Sequence, residues 1–298
     1  MEKNQEIPFI SIVVCTYNRK NLLKECLTSI YLQDYPKSRF EIIVVDGGST
    51  DGTKELCREE FPSVRLVIES KGELAHARNR GAELASGSIV AFTDDDCIVD
   101  KDWVKNLAAG FRFSRRIMGV GGPVYPLYPE MIPNKIYVKA ALGLYCEGEE
   151  LKLTQCIITS NAAFKKEIFN ATKFNEKLAV TRKKKSLSSG EDVAFCESII
   201  RSGHQLLYTP YARAYHQVRK DMLRVPYIIK RAFYSGITQT RIWLSFSQSR
   251  IWAIRYGMGQ LIQQVFRLLS DRSFASCYRL TYYMSALLGG LTGIDKII

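Results

Sequence analysis

The first hundred residues alternate unbroken apolar runs with segments whose apolar positions recur at helical spacing. Phe9–Cys15 is a continuous β-rich run, the pattern of a strand covered on both faces. Leu22, Leu23, Cys26, Leu27 and Ile30 then fall on one face of a predicted helix reaching about Leu32, with Asn18 placed to cap it. A second buried strand is expected over Phe40–Val45, ended by the turn-forming Asp46-Gly47-Gly48-Ser49. Thr50 or Asp51 opens the next helix, and Val64–Ile68 reads as a third strand. Glu73–Leu84 has helical spacing, and Ser88–Thr93 is a fourth strand that runs into Asp94-Asp95-Asp96. Strands alternating with helices of this length predict βαβ units: an α/β fold with a mainly parallel sheet and flanking helices. Ligands of such sheets collect at the carboxyl ends of strands. Three of the four strands end there in polar or acidic residues: Thr16-Tyr17-Asn18, Asp46 and Asp94–Asp96.

After Gly121 the pattern loosens into a loop-rich connection with four prolines between Gly121 and Pro133. Ile157–Phe164 reads as a strand, 179–190 as a polar, lysine-rich loop, and Glu191–Arg201 as a helix. Short strands fit Gln205–Thr209 and Arg213–His216. The expected organisation is a catalytic-type domain over 1–218, divided near residue 122, followed by a helical tail over 219–298. Segments 123–155 and 179–190 are placed to shape one side of a site at the strand ends.

Charge sharpens that division. Of a net +12, residues 1–218 carry 30 Lys and Arg against 27 Asp and Glu, whereas 219–298 carry 12 against 3. Arginines interleaved with Trp243, Trp252 and Tyr256 make the tail a candidate anchor on an anionic membrane surface, in preference to nucleic acid. A helical subdomain packed on the core is the alternative. Leu280–Ile294 is apolar, but its fifteen residues fall short of the roughly 20 that span a bilayer. The eight cysteines include no C-x-x-C pair, and Met1–Pro8 has no apolar core of a secretory signal. These features point to a reduced, cytoplasmic setting, with peripheral attachment to the inner face of the membrane.

Several residues can carry chemistry. Three adjacent carboxylates are stable at neutral pH only if solvated, countercharged or bound to a cation. In an extended stretch Asp94 and Asp96 point to the same side, which suits Mg²⁺ or Mn²⁺ sharing phosphate oxygens. A solvated loop capping the helix before Trp103 is the plainer possibility. Asp46 can accept hydrogen bonds from a ribose or a base edge, and either Arg78 or Arg80 can reach inward to a diphosphate. Glu191 and Asp192 sit where a helix N-terminus stabilises carboxylates, as simple caps or as a general base. His216, at a strand end, is either structural or a metal or phosphate contact.

Taken in order, V-V-C-T-Y-N-R (13–19), V-V-D-G-G-S-T-D-G-T (44–53), A-R-N-R-G (77–81), F-T-D-D-D (92–96), S-N-A-A-F-K-K-E-I-F (160–169) and G-E-D (190–192) resemble family 2 glycosyltransferases over about residues 9–216. Each string alone is weak; the series in this order is specific. The resemblance implies the Rossmann-like GT-A fold, an inverting mechanism, a nucleotide-diphosphate sugar donor and a divalent metal. It also implies that Thr16 and Asn18 line the nucleotide pocket, with Asp46 on the base or ribose. Arg78 is implied at the nucleotide or diphosphate, Asp94 with Asp95 near the ribose, and Asp96 at the metal with His216 near it. Asp192 matches the family's base with Glu191 beside it, and Ser160 and Asn161 fall where the sugar or acceptor is often contacted. Gly47 departs from the second acidic or amide residue common at that position. The Q-x-x-R-W string of processive synthases is missing, so one sugar per encounter is expected. A glycan or lipid-linked acceptor is the natural partner. A non-catalytic basic binding module and a nucleotidyltransferase are the competing classes; the first leaves the acidic strand ends unexplained, and the second lacks its Gly-rich, Arg-containing loop.

Overall fold

A computed structural model describes residues 7–70, 73–127, 145–176, 178, 190–234 and 279–285. The apolar runs form the strands their patterns predict. β1 (Ile10–Thr16), β2 (Phe40–Asp46), β3 (Val64–Ile68) and β4 (Ile89–Asp94) pair in parallel in the order β3-β2-β1-β4. Ile12, Val13 and Val14 in β1 and Ile43, Val44 and Val45 in β2 are fully buried, because helices cover both faces of the sheet.

Three helices make these crossovers: α1 (Lys20–Tyr31), α2 (Thr53–Glu60) and α3 (Leu74–Leu84). α1 buries Leu23, Cys26, Leu27 and Ile30, the face its spacing marks. α3 lies against β1 at Gly81, where an added Cβ would fall 2.3 Å from Val13 Cγ1. Only glycine permits this approach, and it brings the buried Arg78, one turn earlier, over the sheet.

β5 (Cys97–Val99) follows the aspartates directly, and α4 (Trp103–Gly110) leads to β6 (Ile117–Gly121) and β7 (Val124–Leu127). β8 (Lys152–Thr154), β9 (Asn161–Lys165), β10 (Gln205–Tyr208) and β11 (Ala214–Gln217) complete two sheets. The large one has the order β3-β2-β1-β4-β9-β6-β10-β8, and the small one β5-β11-β7. β9 interrupts the parallel pairing, being antiparallel to both β4 and β6, and β6 and β10 then pair in parallel. The segment expected to be loop-rich after Gly121 contains the short strand β7. Its Pro126 is tolerated because β7 is an edge strand of its sheet, next to β11, with one further bridge at Val124 to Tyr145. The strand expected from Ile157 begins instead at Asn161, after a turn in which Asn161 N–H donates to the Ile158 carbonyl at 2.9 Å.

Contacts among the described residues divide the chain into two compact units. The first holds both sheets: residues up to Leu127, 145–174 and 195–217. Its second core is aromatic: Phe92, Phe164, Phe169, Phe174 and Phe195 form one ring cluster, Phe174 and Phe195 with centroids 4.3 Å apart. The second unit includes 190–194, 218–234 and 279–285, with helix over 225–234 and 279–285. The helix Glu191–Arg201 begins in the second unit and continues into the first from Phe195. No helix among the described residues is long and apolar enough to cross a membrane. Trp243, Trp252, Tyr256, 286–294 and the expected loop over 179–189 lie outside the described residues.

One buried polar tie fastens β9 to its neighbours. The Trp103 indole N–H donates to Asn161 Oδ1 at 2.7 Å, and Asn161 Nδ2 donates to the carbonyls of Pro123 and Ala212 at 2.8 and 2.7 Å. Asn161→Ala leaves the indole N–H buried without an acceptor and is expected to destabilise the protein by about 1–3 kcal/mol. A urea midpoint unchanged from wild type would show that Asn161 is not a structural tie.

Candidate active site

The parallel register lines up the carboxyl ends of the strands. Thr16 is the partner of Asp46 across β1 and β2, and Cys15 is the partner of Asp94 across β1 and β4. Thr16, Asp46 and Asp94 thus end neighbouring strands on one rim, as their positions in sequence predict.

The loops after β1 and β2 are laced together by side chains. Asn18 N–H donates to Ser49 Oγ at 2.8 Å, and Thr50 N–H donates to Asn18 Oδ1 at 2.8 Å. Asp51 Oδ2 accepts from Lys20 N–H at 2.8 Å, capping the first turn of α1 from another loop. Asn18 therefore does not cap α1 as expected. It takes a left-handed φ of 50°, a conformation asparagine tolerates, and its amide bridges the two loops. α2 begins at Thr53, later than Thr50 or Asp51, since Asp51 Oδ1 accepts from the N–H and hydroxyl of Thr53 at 3.3 and 2.6 Å. Asp46 is 1% exposed, and both its carboxylate oxygens accept from Ser49 N–H at 3.1 Å.

The aspartate triad is not extended, so Asp94 and Asp96 do not simply share a side. Residues 95 and 96 form a turn between β4 and β5, and the three carboxylates divide between two guanidiniums. Arg78 Nη2 lies 2.9 Å from Asp94 Oδ1, with Arg78 4% exposed. Arg19 Nη1 lies 2.8 Å from Asp95 Oδ1 and 2.9 Å from Asp96 Oδ2. Thr16 Oγ1 donates to the second oxygen of Asp95 at 2.8 Å. Burial pushes the Asp95 carboxyl up to about 6, while Arg19 pulls it the other way. Arg80 pairs with Glu83 at the surface, so Arg78 is the inward arginine of the two. Arg19 was not singled out from sequence, although it closes the first motif; an arginine just outside a helix gives no local sign that it faces carboxylates 76 and 77 residues away.

β11 runs beside the aspartate turn: His216 is the partner of Cys97, and Gln217 N–H donates to the Asp96 carbonyl at 2.8 Å. That pairing sets His216 Nε2 3.5 Å from Asp96 Oδ2. His216 Nδ1 is buried without a hydrogen-bond partner. A carboxylate beside an imidazole is a donor pair of the kind that fits a divalent cation, with Nε2 the nitrogen that faces Asp96. Among the described residues no group of three or more His, Cys, Asp or Glu is arranged to hold a metal. The cation such a pair suits is one completed by diphosphate and water oxygens.

Thr93 Oγ1 donates to the Ser160 carbonyl at 3.0 Å, which fixes Ser160 beside the end of β4. Asn161, expected near sugar or acceptor, is fully buried, with its amide bonded inside the protein. Glu191 and Asp192 occupy the first turn of their helix in the second unit. Glu191 is 3% exposed, and its Oε2 accepts from Gly190 N–H at 2.9 Å. Asp192 is half-buried, and its Oδ1 accepts from Val193 N–H at 2.8 Å.

The chain is similar to known proteins in sequence and in fold. A family model described as "Glycosyl transferase family 2" matches residues 11–172, more than half of the chain. The glycosyltransferase AglE of Haloferax volcanii is 28% identical over 256 residues, covering 83% of this chain and 79% of its own. A glucosyl-dolichyl phosphate glucuronosyltransferase of the same organism is 25% identical, covering 80% and 79%. Among solved structures, mannosyltransferase PcManGT from Pyrobaculum calidifontis, in complex with GDP-Man and Mn²⁺, superposes with a TM-score of 0.62 at 21% identity. That match covers 97% of this chain and 88% of the other. With an α/β sheet ending in this acidic rim, the chain belongs to glycosyl transferase family 2: it is a glycosyltransferase with the GT-A fold.

Proposed function

We propose that this enzyme is an inverting, non-processive transferase that moves one sugar from a nucleotide-diphosphate sugar to a hydroxyl of a lipid-linked or cell-envelope glycan. The observation that carries the proposal is the rim itself, where Asp46, Asp94 and Asp96 stand with Arg78 and Arg19 at the ends of adjoining strands. Asp46 suits the ribose or base, held rigid by Ser49. Arg78 and Asp94 form a buried-to-exposed pair at the ribose and diphosphate. Thr16 and Asn18 serve the nucleotide pocket by fixing Asp95 and the loop after β2. Ser160 suits the sugar or acceptor; Asn161 supports it as a positioning residue.

Asp96 and His216 would hold Mg²⁺ or Mn²⁺. When bound, such a cation supplies positive charge to the diphosphate oxygens, where negative charge grows as the donor breaks. Arg78 adds a fixed charge of the same sign, and Arg19 keeps Asp95 and Asp96 together. Asp192 takes the proton of the acceptor hydroxyl. The hydroxyl oxygen bonds to the anomeric carbon from the face opposite the diphosphate, and the nucleoside diphosphate departs with the electron pair of the broken C–O bond. Glu191 fixes the start of the helix that bears Asp192, whose N-terminus favours a carboxylate there.

Relatives named for dolichyl phosphate substrates, and a poly(ribitol-phosphate) β-N-acetylglucosaminyltransferase of Staphylococcus aureus, 34% identical over 103 residues, support the acceptor class. The basic segment 219–298 supports a location at the inner face of the membrane, bound peripherally to anionic lipid.

Three outcomes are expected. Incubation with a panel of nucleotide sugars and Mn²⁺ should release free nucleoside diphosphate for one donor; release of pyrophosphate from a nucleoside triphosphate and a sugar phosphate would instead identify a nucleotidyltransferase, and no reaction with either substrate set a binding module. Asp192→Asn should lower turnover at least about 10²-fold with nucleotide affinity nearly intact, the scale of a general-base contribution; near-normal turnover would remove Asp192 from that role. Asp96→Ala should abolish the Mn²⁺-dependent part of nucleotide affinity in calorimetry, and identical affinities with and without Mn²⁺ in the wild type would contradict the metal assignment.

A further inference from the structure

The second unit contains a groove of about 580 Å³ along helix 225–234, closed on one side by the helical turn 279–285. Val225, Pro226, Ile229, Phe233 and Tyr234 line it from one helix and Thr281 from the other. Val225 is 51% exposed, so the apolar wall stands open to water. The size lies within the roughly 300–1,000 Å³ of small-molecule sites. Lys230 is the one charged residue of the lining. The surrounding chain is cationic: Arg224, Arg231 and Arg279 lie on or beside the two helices, and the one acidic residue of the nearby turn, Asp221, is paired with Arg219 at 3.1 Å. A recess with apolar walls and a cation fits an apolar chain ending in an anion.

We infer that this groove binds the isoprenyl chain of the lipid-linked acceptor, with Lys230 meeting its phosphate. The inference rests on the proposed acceptor class, for which relatives named for dolichyl phosphate are the support. The hydrophobic effect acts on the chain and charge attraction on the phosphate, so the two parts of the ligand are separable by experiment. Bilayer contact alone needs a flat basic and aromatic surface; a concave lining contributed by two helices seats a single chain.

Calorimetric titration of farnesyl phosphate, below its micellar concentration, into the full-length protein provides the test. Saturable 1:1 binding is expected, with inorganic phosphate and farnesol each at least about tenfold weaker, as each loses one of the two contributions. Ile229→Asp, which puts a charge on the apolar wall, should weaken farnesyl phosphate at least about tenfold. Lys230→Glu, at an exposed position that folding does not depend on, should weaken farnesyl phosphate and leave farnesol unchanged. Equal affinity of both variants and wild type would overturn the inference. So would sedimentation with phosphatidylglycerol vesicles in the absence of any farnesyl phosphate binding, which would assign the surface to the bilayer. Mn²⁺-dependent binding of nucleoside diphosphates, measured on the same samples, separates the two failures. Intact nucleotide binding without farnesyl phosphate binding sinks the groove alone; farnesyl phosphate binding without any nucleotide binding upholds the groove and sinks the sugar-transfer reading.

Discussion

Three consecutive carboxylates at the end of a buried strand repel one another, and the structure of the rim follows from how that repulsion is relieved. A turn after Asp94 separates the charges, and two arginines from opposite sides of the sheet share them: Arg78 takes Asp94, and Arg19 spans Asp95 and Asp96. Burial raises the cost of each unpaired charge, so neither arginine is an incidental surface partner. Asp95, the most enclosed of the three, is also held by the Thr16 hydroxyl. It has the character of a support for its neighbours, which is why the ligand contacts are proposed for Asp94 and Asp96.

The scaffold makes that arrangement rigid. Parallel pairing fixes Thr16, Asp46 and Asp94 at adjacent strand ends, and a slip in register would carry each acid away from its partner. Gly81 lets α3 approach β1 closely enough for Arg78 to reach Asp94 while remaining buried. Asn18, Ser49, Thr50 and Asp51 lace two loops that would otherwise move independently, and so fix the surroundings of Asp46. β11 brings His216 to Asp96 across more than a hundred residues of chain. A site preorganised in this way meets charge that develops in a reaction without having to rearrange first.

The helix bearing Asp192 is anchored by different forces. Phe195 packs into the cluster of Phe164, Phe169 and Phe174, and Cys196 Sγ donates to the Ile157 carbonyl. The aromatic core fixes the helix from Phe195 onward, whereas its first turn, with Glu191 and Asp192, belongs to the other unit. The residues proposed for the donor stand at the end of a parallel sheet, and the proposed base stands on the first turn of a separate helix.

Much of this was legible in the sequence because its physics is local. Strands β1 to β4 and helices α1 to α3 announce themselves through unbroken apolar runs and one-sided spacing, and the parallel sheet follows from their alternation. Acids at the strand ends mark the functional rim before any coordinates exist. Short strands carry too few residues to show a period, so β5, β6, β7 and β8 are not anticipated; β7 even contains a proline, permitted by its place at an edge. The pairing of charges was equally hidden. That Arg19 serves Asp95 and Asp96, that Asn18 bridges loops where a helix cap was expected, and that Asn161 faces inward to Trp103 are consequences of which distant segments meet. Periodicity and motif order belong to neighbouring residues and are fixed by the chain alone; the partner of each buried polar group is chosen only when the whole fold closes around it.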